Sequence, residues 1–427
     1  MNIEPMISVE EARARILDVI PLLPPETKPL AEALGQVLAE DVTSPLTIPP
    51  LDNTAMDGYA VRAADTTGAT QEAPVTLRVV GEVAAGYIYQ GDVEPGTAVR
   101  IMTGAPIPRG ADAVVPFEET DEPAGRNFGS FAKGRASVGV FKAADPGANL
   151  RYAGEDVQRG SMVMRAGTEL HAAQIGVLAS LGKAEVTVYR RPIVAIVSTG
   201  DELLELGQAH SEGKIYDSNS YSVAALAEEA GAESRRLGIA RDTVEALTAK
   251  IHEALAYADL LVTTAGVSRG DYDVVKDVLQ REGQVGFWTV RMRPGKPLAF
   301  GTFTAPNGRV VPHIGLPGNP VSSMVTFELF GRPAVYKMAG RRGWERPAVR
   351  VTVEDRVENS DARRFLARAV VRRQEGRYVA SLTGPQGSGI LTSMALANAL
   401  VVCPEDVPSL EPGDEADAML LGPVVSP

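Results

Sequence analysis

Residues suited to binding phosphate groups and a hard cation are concentrated in the loop at 198–202, whose sequence is STGDE. The loop follows a continuous apolar stretch that predicts a buried strand at 193–197. A tight glycine turn with two hydroxyls and two carboxylates suits phosphate contacts and a divalent cation. The same composition is typical of a helix-capping turn, so both interpretations stay open at this point.

A second candidate loop, AGVSRGDYD at 265–273, follows the predicted strand at 260–264. Its glycines and serine can turn backbone N–H groups towards an anion at the start of the next helix. Asp271 or Asp273 can hold Mg²⁺, which prefers one or two carboxylates together with phosphate oxygens and water. The alternative is an ordinary strand–helix turn whose acidic residues complement the helix dipole.

Positive charge is clustered in the string RMRPGKP at 291–297. Arg291, Arg293 and Lys296 surround a Pro-Gly turn and form a compact anion site, with guanidinium groups suited to oxyanions. Solvated surface charge is the usual explanation of such a cluster. The apolar residues on both sides favour a partly buried loop instead.

The loop LPGNPVS at 316–322 follows another predicted strand. Asn319 suits the N-cap of the next helix and Pro320 suits its first position, which leaves residues 316–318 unexplained. Two further polar loops, at 52–59 and 103–108, are turns rather than sites by composition alone.

Several other chemistries lack their residues. The chain has four histidines, none at metal-ligand spacing, which argues against a zinc site. It contains no P-loop string, no GxGxxG after a strand and no GxSxG elbow. Its one cysteine, Cys403, excludes an internal disulfide and follows apolar residues, which predicts a core position. The remaining hypothesis is a phosphate-handling site without a covalent nucleophile.

The elements around these loops predict a doubly wound, mainly parallel α/β domain at 191–340, because buried apolar strands alternate with helices. In such sheets ligands bind beyond the carboxyl ends of the strands, where the candidate loops lie. Residues 45–144 predict an inserted small β domain. Residues 1–44 and 145–190 predict a discontinuous linking domain, and residues 345–427 predict a C-terminal, barrel-like β domain.

Composition restricts the partners and the compartment. With 42 Lys+Arg against 54 Asp+Glu, the 427-residue chain has a formal charge of −12, which argues against nucleic acid as a partner. No run reaches the roughly 18 apolar residues that span a membrane, and the N-terminus lacks the pattern of a signal peptide. We therefore expect a soluble, cytoplasmic protein.

Eight strings, in this order, resemble the molybdopterin molybdenumtransferase family, which includes the E domain of gephyrin. They are DNTAMDGYAV at 52, TGAPIP at 103, GEDV at 154, STGDEL at 198, IYDSN at 215, AGVSRGDYDVVK at 265, RPGKP at 293 and LPGNPVS at 316. Each string alone is weak, but eight in register are highly specific, and the match covers nearly the whole chain.

The resemblance implies an enzyme that inserts molybdenum from molybdate into adenylylated molybdopterin with Mg²⁺, releasing AMP and forming molybdenum cofactor. It also implies a homodimer of four-domain subunits whose active cleft is shared between the subunits. The molybdopterin adenylyltransferase and molybdenum enzymes are candidate partners. Molybdate and tungstate are not distinguished, because their charges and radii are nearly equal.

The resemblance also assigns roles to residues. Carried over by position, the acidic metal-binding residues are Asp201, Glu202, Asp242 and Asp273, with Arg293 and Lys296 as cationic contacts for the anions. The catalytic set further includes Asp57 and Thr103 from the inserted domain, together with Glu202, Asp242 and Asp273. Residues expected to bind the pterin nucleotide are Ser198, Thr199, Gly200, Gly266, Ser268, Pro317, Pro320 and Ser322.

The chain departs from the family at two positions. Ala265 stands where the family usually has glycine, and its Cβ disfavours a positive φ, so we expect the loop to sit slightly differently. Thr289 stands where some members carry lysine, which removes one cationic contact. Neither change removes a metal ligand, so we expect activity to survive.

Two other functions compete with this interpretation. A related α/β domain catalyses the adenylyltransferase step on the same pterin, and that reaction would make pyrophosphate from ATP. A non-catalytic pterin-binding scaffold is the second alternative. The intact acidic set counts against the scaffold.

Overall fold

The computed structural model describes residues 6–122, 135–265 and 274–425, with only the backbone of Val274. The chain forms two compact units. The larger unit comprises residues 1–40, 167–177 and 183–427, and the smaller unit comprises residues 41–166 and 178–182. The larger unit is therefore built from three separate stretches of the chain.

The helices and strands are numbered in chain order. Over the described residues the α-helices are α1 (Val9–Val19), α2 (Ala172–Ser180), α3 (Asn219–Glu229), α4 (Val244–Leu255), α5 (Val274–Glu282), α6 (Pro320–Thr326), α7 (Arg332–Met338) and α8 (Leu391–Leu396). A π-helical segment, Phe327–Gly331, joins α6 to α7. The strands before the α/β sheet are β1 (Pro25–Pro29), β2 (Val42–Thr43), β3 (Asn53–Thr54), β4 (Gly58–Val61), β5 (Val75–Val83), β6 (Thr97–Ile101), β7 (Ala113–Pro116), β8 (Ser137–Val140), β9 (Leu150–Arg151), β10 (Met162–Met164) and β11 (Glu185–Tyr189).

The later strands form the α/β sheet and the C-terminal domain. They are β12 (Ile193–Thr199), β13 (Leu203–Leu204), β14 (Ile215–Tyr216), β15 (Glu233–Ala240), β16 (Leu260–Thr264), β17 (Gly283–Thr289), β18 (Met292–Arg293), β19 (Pro297–Thr304), β20 (Val310–Leu316), β21 (Ala348–Val353), β22 (Val357–Glu358), β23 (Arg364–Gln374), β24 (Arg377–Leu382), β25 (Ala399–Cys403), β26 (Ser409–Leu410) and β27 (Glu415–Leu420).

The larger unit is organised around a six-stranded sheet in the order β15-β12-β16-β20-β19-β17. The pairs from β15 to β20 are parallel, and β19 and β17 are antiparallel additions at one edge. Two separate clusters of buried apolar side chains cover the sheet, with α3 and α6 contributing to one and α4 and α5 to the other. The predicted doubly wound, mainly parallel α/β fold is confirmed.

Strand register aligns the carboxyl ends of the three central strands. Ser198 of β12 pairs with Thr264 of β16, and Thr264 pairs with Leu316 of β20. The loops that follow these strands therefore leave the sheet at one edge, as expected for a ligand site in an open α/β sheet.

Two further features of the larger unit are a ladder that spans the insertion and the C-terminal barrel that the sequence predicts. Strand β1 pairs antiparallel with β11, so the segment that follows the insertion hydrogen-bonds to a strand near the start of the chain. Strands β23, β24, β21, β27 and β25 close into a five-stranded barrel through the β23–β25 pair. Cys403 lies fully buried in the barrel core, as predicted.

The smaller unit contains a five-stranded sheet in the order β7-β4-β6-β5-β8. Its β5–β6 pair is parallel and its other pairs are antiparallel. Tyr59 and Val115 are fully buried in its core. The predicted inserted β domain is confirmed. Among the described residues, no helix combines the length and the apolar character needed to cross a membrane.

Candidate functional site

The larger unit contains a cavity of about 1190 Å³ at the carboxyl ends of β12, β16 and β20. It lies where the fold predicts a ligand site. The predicted site residues that line it are Thr199, Glu202, Arg293, Lys296, Pro317, Pro320 and Ser322. The loops at 198–202, 291–297 and 316–322 therefore meet at one place, although more than 100 positions separate the first loop from the last.

A buried polar network forms part of the floor. Asp217 is 1% exposed and its carboxylate accepts hydrogen bonds from the hydroxyls of Ser198 at 2.9 Å and Ser220 at 2.6 Å. The Ser198 hydroxyl also lies 3.0 Å from that of Thr264. Ser198 is thus held beneath the cavity, and Thr199 is the residue of this pair that lines it. Sequence reasoning did not select Asp217, although the string IYDSN contains it.

Position 200 favours glycine because of its backbone conformation, and the Glu202 side chain folds back over it. Gly200 has a φ of 142°, and a Cβ built there would collide with the Glu202 carboxylate. A side chain would therefore strain the backbone and displace the carboxylate. The turn predicted at 198–202 serves to present Glu202 at the cavity.

Asp201 and Asp242 lie side by side, but they form a group separate from Glu202. The backbone N–H of Asp201 donates to the Asp242 carboxylate at 3.3 Å, and that of Asp242 donates to the Asp201 carboxylate at 3.4 Å. Lys214 and Arg241 both donate to the carbonyl oxygen of Asp201. Both aspartates are exposed, and among the described residues the cavity lining includes Glu202 but neither of them.

The donor set fits a magnesium ion that is bound together with a substrate. Over the part of the chain that the structure describes, no cluster of three or more His, Cys, Asp or Glu side chains could hold a metal unaided. Mg²⁺ commonly takes only one or two carboxylates and completes its shell with phosphate oxygens and water. Asp201 with Asp242, or Glu202 alone, meets that requirement. Asp273, Gly266 and Ser268 lie outside the described residues.

A cationic wall faces the cavity from the segment that joins the sheet to the barrel. Strand β18 pairs in parallel with β23, which brings Arg293 over the ring of Phe365 at 4.1 Å. Gly295 has a φ of 98°, and a Cβ built there would lie 2.5 Å from the Thr326 hydroxyl oxygen and 2.7 Å from the Met292 methyl carbon. The turn at 294–296 can therefore form only with glycine at its centre.

Arg363 is a cavity residue that the sequence analysis missed. It lines the cavity and forms an ion pair with Asp361, which also lies 3.8 Å from Arg293. Burial acts to raise the pKa of Asp361, but the hydrogen bond and charge of Arg363 outweigh it, and the pKa falls below its ordinary value. Asp361 is therefore ionised and holds two guanidinium groups at this wall.

Arg368 supports the barrel loop that completes the lining. It is fully buried, and it donates to the Ser393 hydroxyl at 2.8 Å and to the carbonyl oxygens of Gly387 at 3.0 Å and Pro385 at 3.2 Å. Burial, aided by the charge of Arg293, lowers the pKa of Arg368 to about 10. The group is still protonated at neutral pH, so it adds positive charge beneath the loop.

The loop at 316–322 has one predicted feature and lacks another. Helix α6 begins at Pro320, as predicted, but the Asn319 side chain makes no capping hydrogen bond. It donates instead to the Ser388 hydroxyl at 3.0 Å, and the backbone N–H of Val321 donates to the Ser388 carbonyl at 3.1 Å. The predicted side-chain cap is therefore wrong, because Asn319 ties the α/β domain to the barrel.

Ala265 adopts the left-handed conformation that its Cβ disfavours, with a φ of 75°. The loop therefore begins with the backbone conformation that glycine favours, despite the substitution. The Cβ of Ala265 approaches Gly318, where an added Cβ would lie 3.2 Å away. Both residues line the cavity.

In the smaller unit, the two predicted residues are brought together. The Asp57 carboxylate accepts hydrogen bonds from the backbone N–H of Thr103 at 2.6 Å and from its hydroxyl at 2.8 Å. The loops at 52–59 and 103–108, which are turns by composition, thus join through an exposed carboxylate–hydroxyl pair.

Comparison with known proteins agrees with this architecture. Residues 7–182 match the "MoeA N-terminal region (domain I and II)", residues 195–337 match the "Probable molybdopterin binding domain", and residues 350–421 match the "MoeA C-terminal region (domain IV)". A molybdopterin molybdenumtransferase of Nostoc sp. is 39% identical over 94% of this chain and 90% of its own length. That of Haemophilus influenzae is 35% identical over 96% of this chain and 97% of its own.

Solved structures give the same result. The crystal structure of a molybdopterin biosynthesis MoeA protein from Pyrococcus horikoshii has a TM-score of 0.79 and 32% identity, covering 98% of this chain and all of the other. A second structure of the protein from that organism has a TM-score of 0.77 at 30% identity. The chain therefore belongs to the molybdopterin molybdenumtransferase family and is an enzyme of molybdenum cofactor biosynthesis.

Proposed function

We propose that this enzyme inserts molybdenum from molybdate into adenylylated molybdopterin in a Mg²⁺-dependent reaction that releases AMP. The observation that carries the proposal is that a carboxylate, Glu202, and a cationic wall, formed by Arg293, Arg363 and Lys296, line the same cavity. Such a site can accommodate a polyanion and a divalent cation together.

The proposed substrates repel each other, because molybdate and a nucleotide-linked pterin phosphate are both polyanions. Arg293, Arg363 and Lys296 would hold oxyanion groups and orient them, and catalysis would depend mainly on positioning and electrostatic stabilisation. Glu202, or Asp201 with Asp242, would hold Mg²⁺, with Asp273 as a further proposed ligand. That ion, when bound, would neutralise the bridging phosphates and polarise the phosphorus.

The protein would bind molybdenum only through its substrates. Its one cysteine, Cys403, is buried in the barrel core and makes a hydrogen bond to the carbonyl of Val407. Burial, the main influence, raises the pKa of the Cys403 thiol. A buried neutral thiol is a poor ligand, so the dithiolene sulfurs of the pterin are the proposed ligands of the metal.

A shared cleft in a homodimer is part of the proposal. Asp57 and Thr103 form one prepared carboxylate–hydroxyl pair, and we propose that the pair of one subunit serves the cavity of the other. Mixed dimers test this directly: subunits with Asp57→Asn and subunits with Asp273→Asn should regain activity when combined, since one cleft is then intact. Failure to regain activity, with mixed dimers verified by tags, would refute the shared cleft.

We also propose a cytoplasmic location and transient contact with the molybdopterin adenylyltransferase and with molybdenum enzymes, because a labile pterin nucleotide has to be received and delivered. Co-purification from cells after mild crosslinking would test these contacts. Recovery of neither partner would argue against them.

The reaction itself is tested with purified protein, adenylylated molybdopterin, molybdate and Mg²⁺. We expect AMP release that requires both molybdate and Mg²⁺, together with product that activates a molybdenum-free apoenzyme. Incubation with ATP and molybdopterin is the control, since pyrophosphate would indicate the adenylyltransferase reaction. A scaffold protein would give neither AMP nor pyrophosphate.

A further inference from the structure

One edge of the cavity is apolar, in contrast to the charged wall opposite the strand ends. Leu203 of β13 and Ile215 of β14 are partners in a parallel pair, so their side chains leave the same face of the ladder. Both residues line the cavity. Leu203 is 9% exposed, whereas Ile215 is 58% exposed. Ile215 thus presents a large aliphatic side chain to the cavity, and the nearly buried Leu203 lies beside it in the ladder.

The ladder is fixed in place by its neighbours. The backbone N–H of Ile215 donates to the carbonyl of Glu202 at 2.9 Å, and that of Asp217 donates to the carbonyl of Leu204 at 3.0 Å. The Tyr216 hydroxyl donates to the carbonyl of Gln208 at 2.8 Å. A surface held in this way loses little conformational entropy when a ligand binds to it. Ile215 is therefore held in place before a ligand binds, and its backbone is hydrogen-bonded to that of Glu202.

We propose that Ile215, backed by Leu203, is the surface on which a planar nitrogen heterocycle of the substrate lies. The inference rests on the proposed function. A pterin nucleotide has phosphates, which suit Arg293 and Lys296, and flat ring systems, whose faces an aliphatic side chain can cover. An aliphatic face removes both the ring and the exposed Ile215 side chain from water, which is favourable in proportion to the area buried.

The ring is either the adenine of the nucleotide or the pterin, which share the same flat, nitrogen-rich chemistry. The cavity lining offers another large aliphatic residue, Leu391, on the barrel side, next to the loop that Arg368 supports. Leu391 lies on the side of the cavity where Arg368 adds positive charge, whereas Ile215 is hydrogen-bonded through its backbone to Glu202. The β13–β14 edge is therefore where a ring can lie while its phosphates reach both the cations and a metal held by Glu202.

Two ligand pairs test the proposal by titration calorimetry in the presence of Mg²⁺. AMP is compared with ribose 5-phosphate, which lacks the base, and 6-hydroxymethylpterin supplies the other ring. Ile215→Ser should weaken the binding of AMP or of the pterin by about fivefold to thirtyfold, the loss expected for part of one isoleucine contact. Ribose 5-phosphate affinity should change by less than about twofold.

Ile215→Leu is the matched control, since it keeps an aliphatic face and should retain ring affinity within about threefold. Thermal unfolding of each variant verifies the fold, and the 58% exposure of Ile215 predicts no change. Unchanged affinity of Ile215→Ser for both rings, or an equal loss of affinity for ribose 5-phosphate, would overturn the heterocycle site and leave the proposed function standing. If the wild-type protein binds none of the three ligands, the proposed function fails and the heterocycle site fails with it.

Discussion

The contact between Ala265 and Gly318 allows a double-mutant cycle at the edge of the cavity. Gly318 has no positive φ, so an alanine there meets only a steric obstacle, namely the Ala265 Cβ at 3.2 Å. The next atom, the Ala265 Cα, lies at 3.7 Å, which is an ordinary contact. Removing the Ala265 Cβ should therefore remove the whole obstacle.

The magnitudes follow from backbone and packing terms. A left-handed alanine costs roughly 1–2 kcal/mol, and glycine costs roughly 0.5–1 kcal/mol in backbone entropy. Ala265→Gly should therefore change the free energy of unfolding by between 0 and about +1.5 kcal/mol. In the wild-type background, Gly318→Ala adds overpacking of about 1–3 kcal/mol and gains about 0.4–1 kcal/mol through the unfolded state. The net effect should be a loss of about 1 kcal/mol.

In the Ala265→Gly background the steric term disappears, and Gly318→Ala should be neutral or stabilising. The coupling energy should therefore be about 1–2 kcal/mol. Urea unfolding of the four proteins measures it, with the fluorescence of Trp288 and Trp344, the two tryptophans of the chain, both in the larger unit. A coupling below about 0.5 kcal/mol would mean that the two residues are independent, and the contact would be refuted.

Three further predictions concern charge. Lys296→Met should weaken AMP binding about tenfold, because Lys296 contributes one charge-assisted contact. Its stability in urea should not change, because Lys296 is exposed. If calorimetry gives the variant and the wild-type protein the same affinity for AMP, Lys296 is not part of the site. Burial lowers the pKa of His313 from 6.5 to about 3, so the unfolded chain binds a proton at a higher pH than the folded chain does. The folded state therefore loses stability as the pH falls from 6.5 to about 3, by at most about 4–5 kcal/mol. His313→Gln, which can keep the hydrogen bond to Thr263, should flatten the fall in the urea midpoint between pH 7 and pH 4, and an unchanged slope would contradict the assignment. Asp273→Asn should abolish Mg²⁺-dependent AMP release with an unchanged circular dichroism spectrum, and undiminished turnover would exclude Asp273.

The α/β fold was predictable because its central strands are continuous apolar runs bounded by turns. The predicted strand at 260–264 coincides with β16, and the strand predicted at 193–197 extends only two residues further. Strand β19 was missed. Its Gly301 lies so close to the backbone of Gln284 that a side chain would not fit, and this contact with β17 is a tertiary requirement that the local sequence does not reveal.

The site was predictable where its residues follow the parallel strands. Thr199 and Glu202 were found because strand ends meet at one edge of the sheet, whereas Pro317 was assigned only through the family resemblance. Arg363 and Ser388 were not found, because they reach the cavity through the pairing of β18 with β23 and through the bond from Asn319. Those contacts join segments about 70 positions apart, and no local pattern marks them.

Charge on the barrel side predicts that the cavity favours anions even before any direct contact is considered. The described hydrogen bonds of the Arg368 guanidinium go only to neutral oxygens, and its Nη1 has no partner among the described residues. Its charge and that of Arg293 repel each other, and one carboxylate, Asp361, serves both Arg293 and Arg363. The ligand-free protein therefore holds more positive than negative charge at this wall, and the charge of the buried Arg368 is poorly screened by water. A bound oxyanion relieves that repulsion, so part of its affinity arises from arginines that it does not touch.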